Sequence, residues 1–92
     1  MSKKSIIQLS EFDINQKIIE AMSNVCTRSV LFSVKNESKD VPTIAEELKI
    51  SISTVYKTLS NLEELALAEV DKYVITSDGK KIKLYRSRIG KV

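Results

Sequence analysis

Residues 43–88 read TIAEELKISISTVYKTLSNLEELALAEVDKYVITSDGKKIKLYRSR. Two hydrophobic periods divide this stretch. Ile44, Ala45 and Leu48, then Val55, Leu59, Leu62 and either Leu65 or Ala66, recur every three or four positions, the spacing of one helical face. From Ala68 the chain enriches in Val, Tyr, Ile and Thr, residues that suit a pleated strand, and Asp78-Gly79 marks a turn. The expected order is a short helix, a tight turn, a second helix and a two-stranded hairpin. Thr43-Ile-Ala-Glu46 fits a capping box after Pro42, and Ser51 is placed to cap the next helix.

Two helices can cross closely only where a small residue lets their backbones approach. Ala45 has that place, and Val55, ten positions on, packs the second helix against the first. Leu48 and Ile50 close the corner between them. The hairpin is read with a two-residue loop, which pairs Ser77 with Lys80. Ile75 then faces Ile82, Tyr73 faces Leu84, Asp71 faces Arg86 and Glu69 faces Arg88, so apolar and opposite-charge pairs gather on one face.

The N-terminal half reads as two further helices. Ser10 is a candidate cap, with Glu11 and Asp13 near the positive end of a helix whose apolar row is Ile14, Ile18, Ala21, Met22 and Val25. Ser23-Asn24 interrupts the row and offers a cap for a second helix carrying Val30, Leu31 and Val34 inward. Residues 36–40 (NESKD) read as a polar loop. Residues 1–9 are expected to be a flexible lead.

Ninety-two residues suffice for one domain with a modest core. No apolar run approaches the roughly 18 residues that span a bilayer, and no secretory signal is evident. The one cysteine, Cys26, has no internal disulfide partner and reads as a small apolar filler. Histidine is absent, which removes the commonest general base and transition-metal ligand. Adjacent acids Glu46-Glu47 and Glu63-Glu64 diverge by about 100° on a helix and make no catalytic dyad. Neither an enzyme, a cofactor site nor a metal effector is expected; a cytoplasmic, nucleoid-associated protein is.

Charge is distributed unevenly. Residues 1–48 hold six Lys/Arg against seven Asp/Glu, whereas residues 49–92 hold nine against five. The excess falls where the second of the paired helices and the hairpin lie, an electrostatic footprint for nucleic acid. Opposite its apolar row, the helix expected over residues 52–65 presents Ser53, Tyr56, Lys57 and Ser60, with Ile52, Asn61 and Glu64 near its edges, and Thr54 is a further candidate. Hydroxyls, an amide and a cation of this kind bond base edges and phosphates. Lys80, Lys81 and Lys83 near the hairpin tip would meet the backbone.

The segment EAMSNVCTRSVLFSV (residues 20–34) is similar to a pattern of the kind ALSDPTRLRIL, and residues 43–70 follow A-x-x-L-x-[IV]-S-x-x-x-V-x-x-x-L. On these, residues 14–88 resemble the winged helix-turn-helix of ArsR-type and related archaeal or bacterial transcriptional regulators. The resemblance implies an α+β fold of three to four helices followed by a β-hairpin wing, with the helix-turn-helix at 43–66 and the wing at 68–88. It implies a single domain over residues 1–92 that binds double-stranded DNA sequence-specifically, with Ile52, Ser53, Tyr56 and Lys57 at recognition positions. It departs from the family in Lys49, which stands where glycine is usual, and in lacking the cysteines and histidines of metal-sensing members. The chain also stops soon after the wing, without the C-terminal dimerisation helix of many relatives. A homodimer is therefore expected to use the first helix and residues Ile6-Ile7-Gln8-Leu9. The competing readings are an architectural, chromatin-like DNA binder and a winged-helix interaction module of transcription machinery.

Overall fold

The computed structural model describes the backbone of residues 6–89 and the side chains of residues 13–89. Four helices, α1 (Ile6–Ser23), α2 (Val25–Ser33), α3 (Val41–Leu48) and α4 (Ile52–Glu64), precede an antiparallel hairpin of β1 (Ala68–Ile75) and β2 (Lys81–Ser87). This is the winged helix-turn-helix architecture. Residues 1–5 lie outside the described part, as do the side chains of Ile6 to Leu9.

One core joins α2, α3, α4 and the base of the hairpin. Val30, Leu31, Val34, Ile44, Val55, Leu59 and Leu62 are fully or almost fully buried, with Ala45, Ala68 and Tyr85 beside them. Burying side chains of this size contributes about 1.5–3 kcal/mol each. The rows expected from α2, α3 and α4 therefore do face inward. Leu48 and Ile50 pack at the corner, half-buried against the same cluster.

The α1 expectation changes. The helix already runs from Ile6, so Ser10 lies inside it rather than at its cap, and residues 6–9 are helical. Of the predicted row, Ala21 is buried and Met22 packs on the core, but Ile14 is 50% exposed and Val25 on α2 is 67% exposed. An 18-residue helix is about 27 Å long. Its last turn reaches the core, and the described residues before that turn lie outside the buried cluster.

The caps follow the short polar residues. Asn24 accepts from Thr27 N–H at 3.0 Å to start α2, and Ser51 accepts from Thr54 N–H at 3.2 Å to start α4. For α3 the cap is Asp40, which accepts from Thr43 N–H at 3.0 Å, and not Thr43. Pro42 thus sits within the first turn, where its missing N–H would have had no partner.

Both α3 and α4 end in left-handed residues other than glycine. Lys49 has φ 59°, and Ile50 N–H returns to Ala45 C=O at 3.1 Å; Ala66 has φ 60°, and Leu67 N–H returns to Leu62 C=O at 2.9 Å. These are Schellman closures, which normally place glycine at that position. Lys49, which stands where the resembled pattern has glycine, therefore carries left-handed strain. Lys49→Gly is expected to raise stability by about 0.5–1 kcal/mol, the relieved left-handed strain less the added chain entropy, read as a higher urea midpoint.

The hairpin differs from the two-residue reading by one position. Ile75 pairs with Lys81, Val74 with Ile82, Tyr73 with Lys83 and Lys72 with Leu84. The loop is Ser77-Asp78-Gly79: Gly79 N–H bonds Thr76 C=O at 2.9 Å, and Thr76 N–H bonds Lys80 C=O at 2.8 Å. Gly79 has φ 85°, the left-handed residue that follows a type I turn in a three-residue loop. Thr76 fixes this longer loop, since its hydroxyl bonds the Asp78 carboxylate and accepts from Lys80 N–H at 3.1 Å. A second irregularity at Asp71 shifts the register one position further, so that Val70 stands opposite Tyr85 and Glu69 opposite Arg86, and the expected cross-strand pairings of Asp71 with Arg86 and of Glu69 with Arg88 do not form. Asp71 accepts from the Ser38 hydroxyl at 2.5 Å, and Arg88 reaches Glu69 at 4.0 Å.

The base of the wing is tied to the helices. Tyr85 exchanges two backbone hydrogen bonds with Lys39, at 3.1 and 2.8 Å, so the end of the 36–40 loop acts as a one-residue third strand. Ser87 N–H bonds Val34 C=O at 3.1 Å and Arg88 N–H bonds Leu67 C=O at 2.9 Å.

Candidate nucleic-acid interface

Helix α4 carries most of the candidate residues. Its buried row of Val55, Leu59 and Leu62 turns the opposite face outward, and there Ser53, Lys57 and Ser60 are all exposed. Lys57 is the single cation on α4, and no acid occurs in its sequence before Glu63. Glu63 and Glu64 confine the helix's negative charge to its last turn.

Two edges flank that face. On one side Asn61 lines a groove with Glu20, Asn24, Thr27 and Glu64, between α4 and the α1–α2 junction. Lys17 lines the same groove, and Asn61 lines a second one with Lys57, Ser60 and Glu64. Thr54 is exposed in the first turn, where its hydroxyl accepts from Ser51 Oγ at 2.8 Å; Ser51 Oγ also lies 3.2 Å from Ser53 Oγ. The N-terminus of α4 is therefore a connected patch of hydroxyls.

On the other side lie Ile52 and Tyr56, one turn apart and 49% and 54% exposed. Tyr56 lines an open groove with Pro42, Lys81, Lys83 and Tyr85. Lys81, Lys83 and Tyr85 share one face of β2 by strand alternation, and the observed register places Ile75 and Tyr73 of β1 opposite the two lysines. Lys80 stands apart in the turn, exposed, with its amide held by Thr76. Of the three wing lysines, two adjoin Tyr56 and one does not.

Tyr73 belongs to this region although residue chemistry alone did not single it out. Lys81 Nζ lies 4.3 Å from the centre of its ring, a cation–π contact that holds the ammonium near the β-ribbon surface. The correct register was the signal that would have found it, since Tyr73 stands opposite Lys83 and diagonal to Lys81.

Electrostatics in the region are mild. Burial pushes the Tyr85 phenol above its ordinary value of 10.0, with Glu63, Tyr56 and Tyr73 adding to the effect. The neutral phenol is favoured in the fold, so stability is full below pH 10 and declines as pH rises through the folded value. A falling urea midpoint above about pH 10, flattened in Tyr85→Phe, is the expected result. At the wing tip the Thr76 hydroxyl bond holds the Asp78 carboxyl below its usual range.

Among the described residues no group of three His, Cys, Asp or Glu side chains is placed to hold a metal, and no helix is long and apolar enough to cross a membrane.

No protein-family model matches the sequence, and no protein of curated function matches it. Solved structures do share the fold. NolR from Sinorhizobium fredii superposes with a TM-score of 0.72 at 23% identity, over 98% of this chain and 84% of its own. A homodimeric winged helix-turn-helix DNA-binding domain of a possible ArsR-family transcriptional regulator from Mycobacterium bovis superposes with a TM-score of 0.73 at 18% identity, over 95% and 75%.

Proposed function

We propose that this winged-helix chain is a sequence-specific double-stranded DNA-binding transcriptional regulator, with α4 in the major groove and the wing on the adjoining backbone. The carrying observation is the exposed face of Ser53, Lys57 and Ser60, free of acids until Glu64 in the last turn, with Tyr56 at its edge lining a groove with Lys81 and Lys83. Major-groove readers need hydroxyl, amide or cationic groups at base edges and cations at phosphates. Ser53, Thr54, Lys57, Ser60 and Asn61 are assigned to bases or nearby phosphates, and Lys80, Lys81 and Lys83 to the backbone. No catalytic chemistry is assigned to the chain. The Mycobacterium bovis domain of the same fold is a DNA-binding domain, which favours this reading.

Selection of a random duplex pool on the purified protein, near physiological salt, tests the proposal. An enriched motif supports it. Retention of all duplexes without enrichment would support an architectural binder instead, and no retention at low salt a protein-interaction module.

A homodimer through α1 is part of the same reading. Ile19 is 64% exposed, and Ile14 on the same helix and Phe32 on α2 are likewise open to solvent, large apolar side chains whose burial favours a second copy. The Mycobacterium bovis neighbour is itself homodimeric. Sedimentation is expected to give a dimer that Ile19→Glu converts to a monomer; a wild-type monomer at all concentrations would defeat this assignment. Two inverted half-sites in the selected motif would agree with the dimer.

A further inference from the structure

Ile52 is unusual for where it stands. It opens α4, the position at which a DNA-reading helix first reaches base edges, and it is half exposed. The helix does not need it for packing, because the buried row begins at Val55, nor for capping, which Ser51 provides. An acidic residue in the first turn would be favoured by the helix dipole, yet the turn holds none. A β-branched apolar residue instead gives up helix propensity there and leaves methyl groups in water.

Its surroundings narrow what those methyls can meet. Tyr56 lies one turn on along the same edge, and the two make an apolar border between the hydroxyl patch and the wing groove. Guanine and adenine fall to Lys57 and Asn61, the cation and the amide of α4, which leaves Ile52 no hydrogen-bonding part in base reading. The one apolar group that base pairs display in the major groove is the thymine 5-methyl.

We propose that Ile52, bordered by Tyr56, is a specificity-determining residue that reads a thymine 5-methyl group in each half-site. This deepens the DNA-binding reading above and rests on it. The preferred site then contains at least one thymine whose methyl packs against Ile52, and removing that methyl alone weakens binding without disturbing any base-pair hydrogen bond.

The test replaces each thymine of the selected duplex singly by uracil, and measures affinity for the wild-type protein and for Ile52→Ala. At one position per half-site, uracil is expected to weaken wild-type binding about fourfold, the equivalent of one buried methyl. The same replacement is expected to have no effect on Ile52→Ala. An unchanged thermal midpoint would show that this exposed substitution leaves the fold intact. Sequence-specific binding indifferent to uracil everywhere overturns the inference alone, as does a uracil effect that persists undiminished in Ile52→Ala. Absence of any preferred duplex overturns both the inference and the regulator reading.

Discussion

Replacing Lys80, Lys81 and Lys83 together by alanine is expected to lower affinity for every duplex, selected or not, on the order of 10²-fold. Each charge-assisted phosphate contact is taken as about 1–1.5 kcal/mol, and about 1.4 kcal/mol is a decade in affinity. The slope of log affinity against log salt should become shallower by about two to three units, since each lysine displaces close to one counterion. The fold has little stake in these side chains: all three are exposed, and the Lys81 ammonium rests on the half-exposed Tyr73 ring. Their contributions should be unequal. Lys81 and Lys83 border the groove beside Tyr56, whereas Lys80 stands in the turn, so Lys81→Ala with Lys83→Ala should account for most of the loss. Salt titrations on the single and combined variants measure this. A sequence-dependent loss would contradict backbone contact, because a phosphate carries no base identity.

Leu59→Ala and Ser60→Ala, neighbours on α4, are expected to separate folding from recognition. Leu59 is fully buried at the centre of the core, and truncating it removes burial and leaves a cavity, at a cost of about 2–5 kcal/mol. A domain of this size has little stability in reserve, about 5–15 kcal/mol at most, so much of the protein should unfold near physiological temperature. Ser60 points the opposite way, and its loss should change stability by no more than about 0.5 kcal/mol. If Ser60 bonds a base edge, its alanine variant should bind the selected duplex about 1–3 kcal/mol more weakly. Urea denaturation and binding on the same preparations separate the two effects. A stability loss in Ser60→Ala comparable with that in Leu59→Ala would mean that the faces of α4 have been misassigned.

How far the sequence carried depended on how local each determinant was. The inward rows of α2, α3 and α4 were legible because a helix's period is set by its own backbone, and Val55, Leu59 and Leu62 recur at that period whatever surrounds them. Asn24 and Ser51 were legible as caps for the same reason: cap and recipient amide are three residues apart. Asp40 was missed because Thr43 carried an equally plausible local signature, and a proline decided between them. The hairpin turn was read one position out. Asp-Gly serves either a two-residue loop or the last two places of a three-residue loop, and the Thr76 hydroxyl favours the second.

That single position exchanged which β1 residues share each face of the wing, since strand side chains alternate. It put Tyr73 on the side that Lys81, Lys83 and Tyr85 already share along β2, the side that lines the groove with Tyr56. Asn61 shows what helix spacing leaves out. Its chemistry nominated it for a base edge, and it lines one groove with Lys57 and Ser60 of its own helix and another with Lys17 and Glu20 of α1.

Periodicity and capping therefore determined by themselves that this chain forms four helices and a hairpin, and which helical faces are apolar. Both are decided within a few residues of chain. Tertiary structure alone decided which apolar residues are used. Ile14 and Val25 have the right spacing for burial but lie beyond the reach of the core, whereas Tyr85 and Lys39, 46 residues apart, are joined by a backbone bridge that no local pattern announces. Burial and wing orientation depend on which surfaces meet after the chain has folded back, and this is fixed by the summed packing of all the elements.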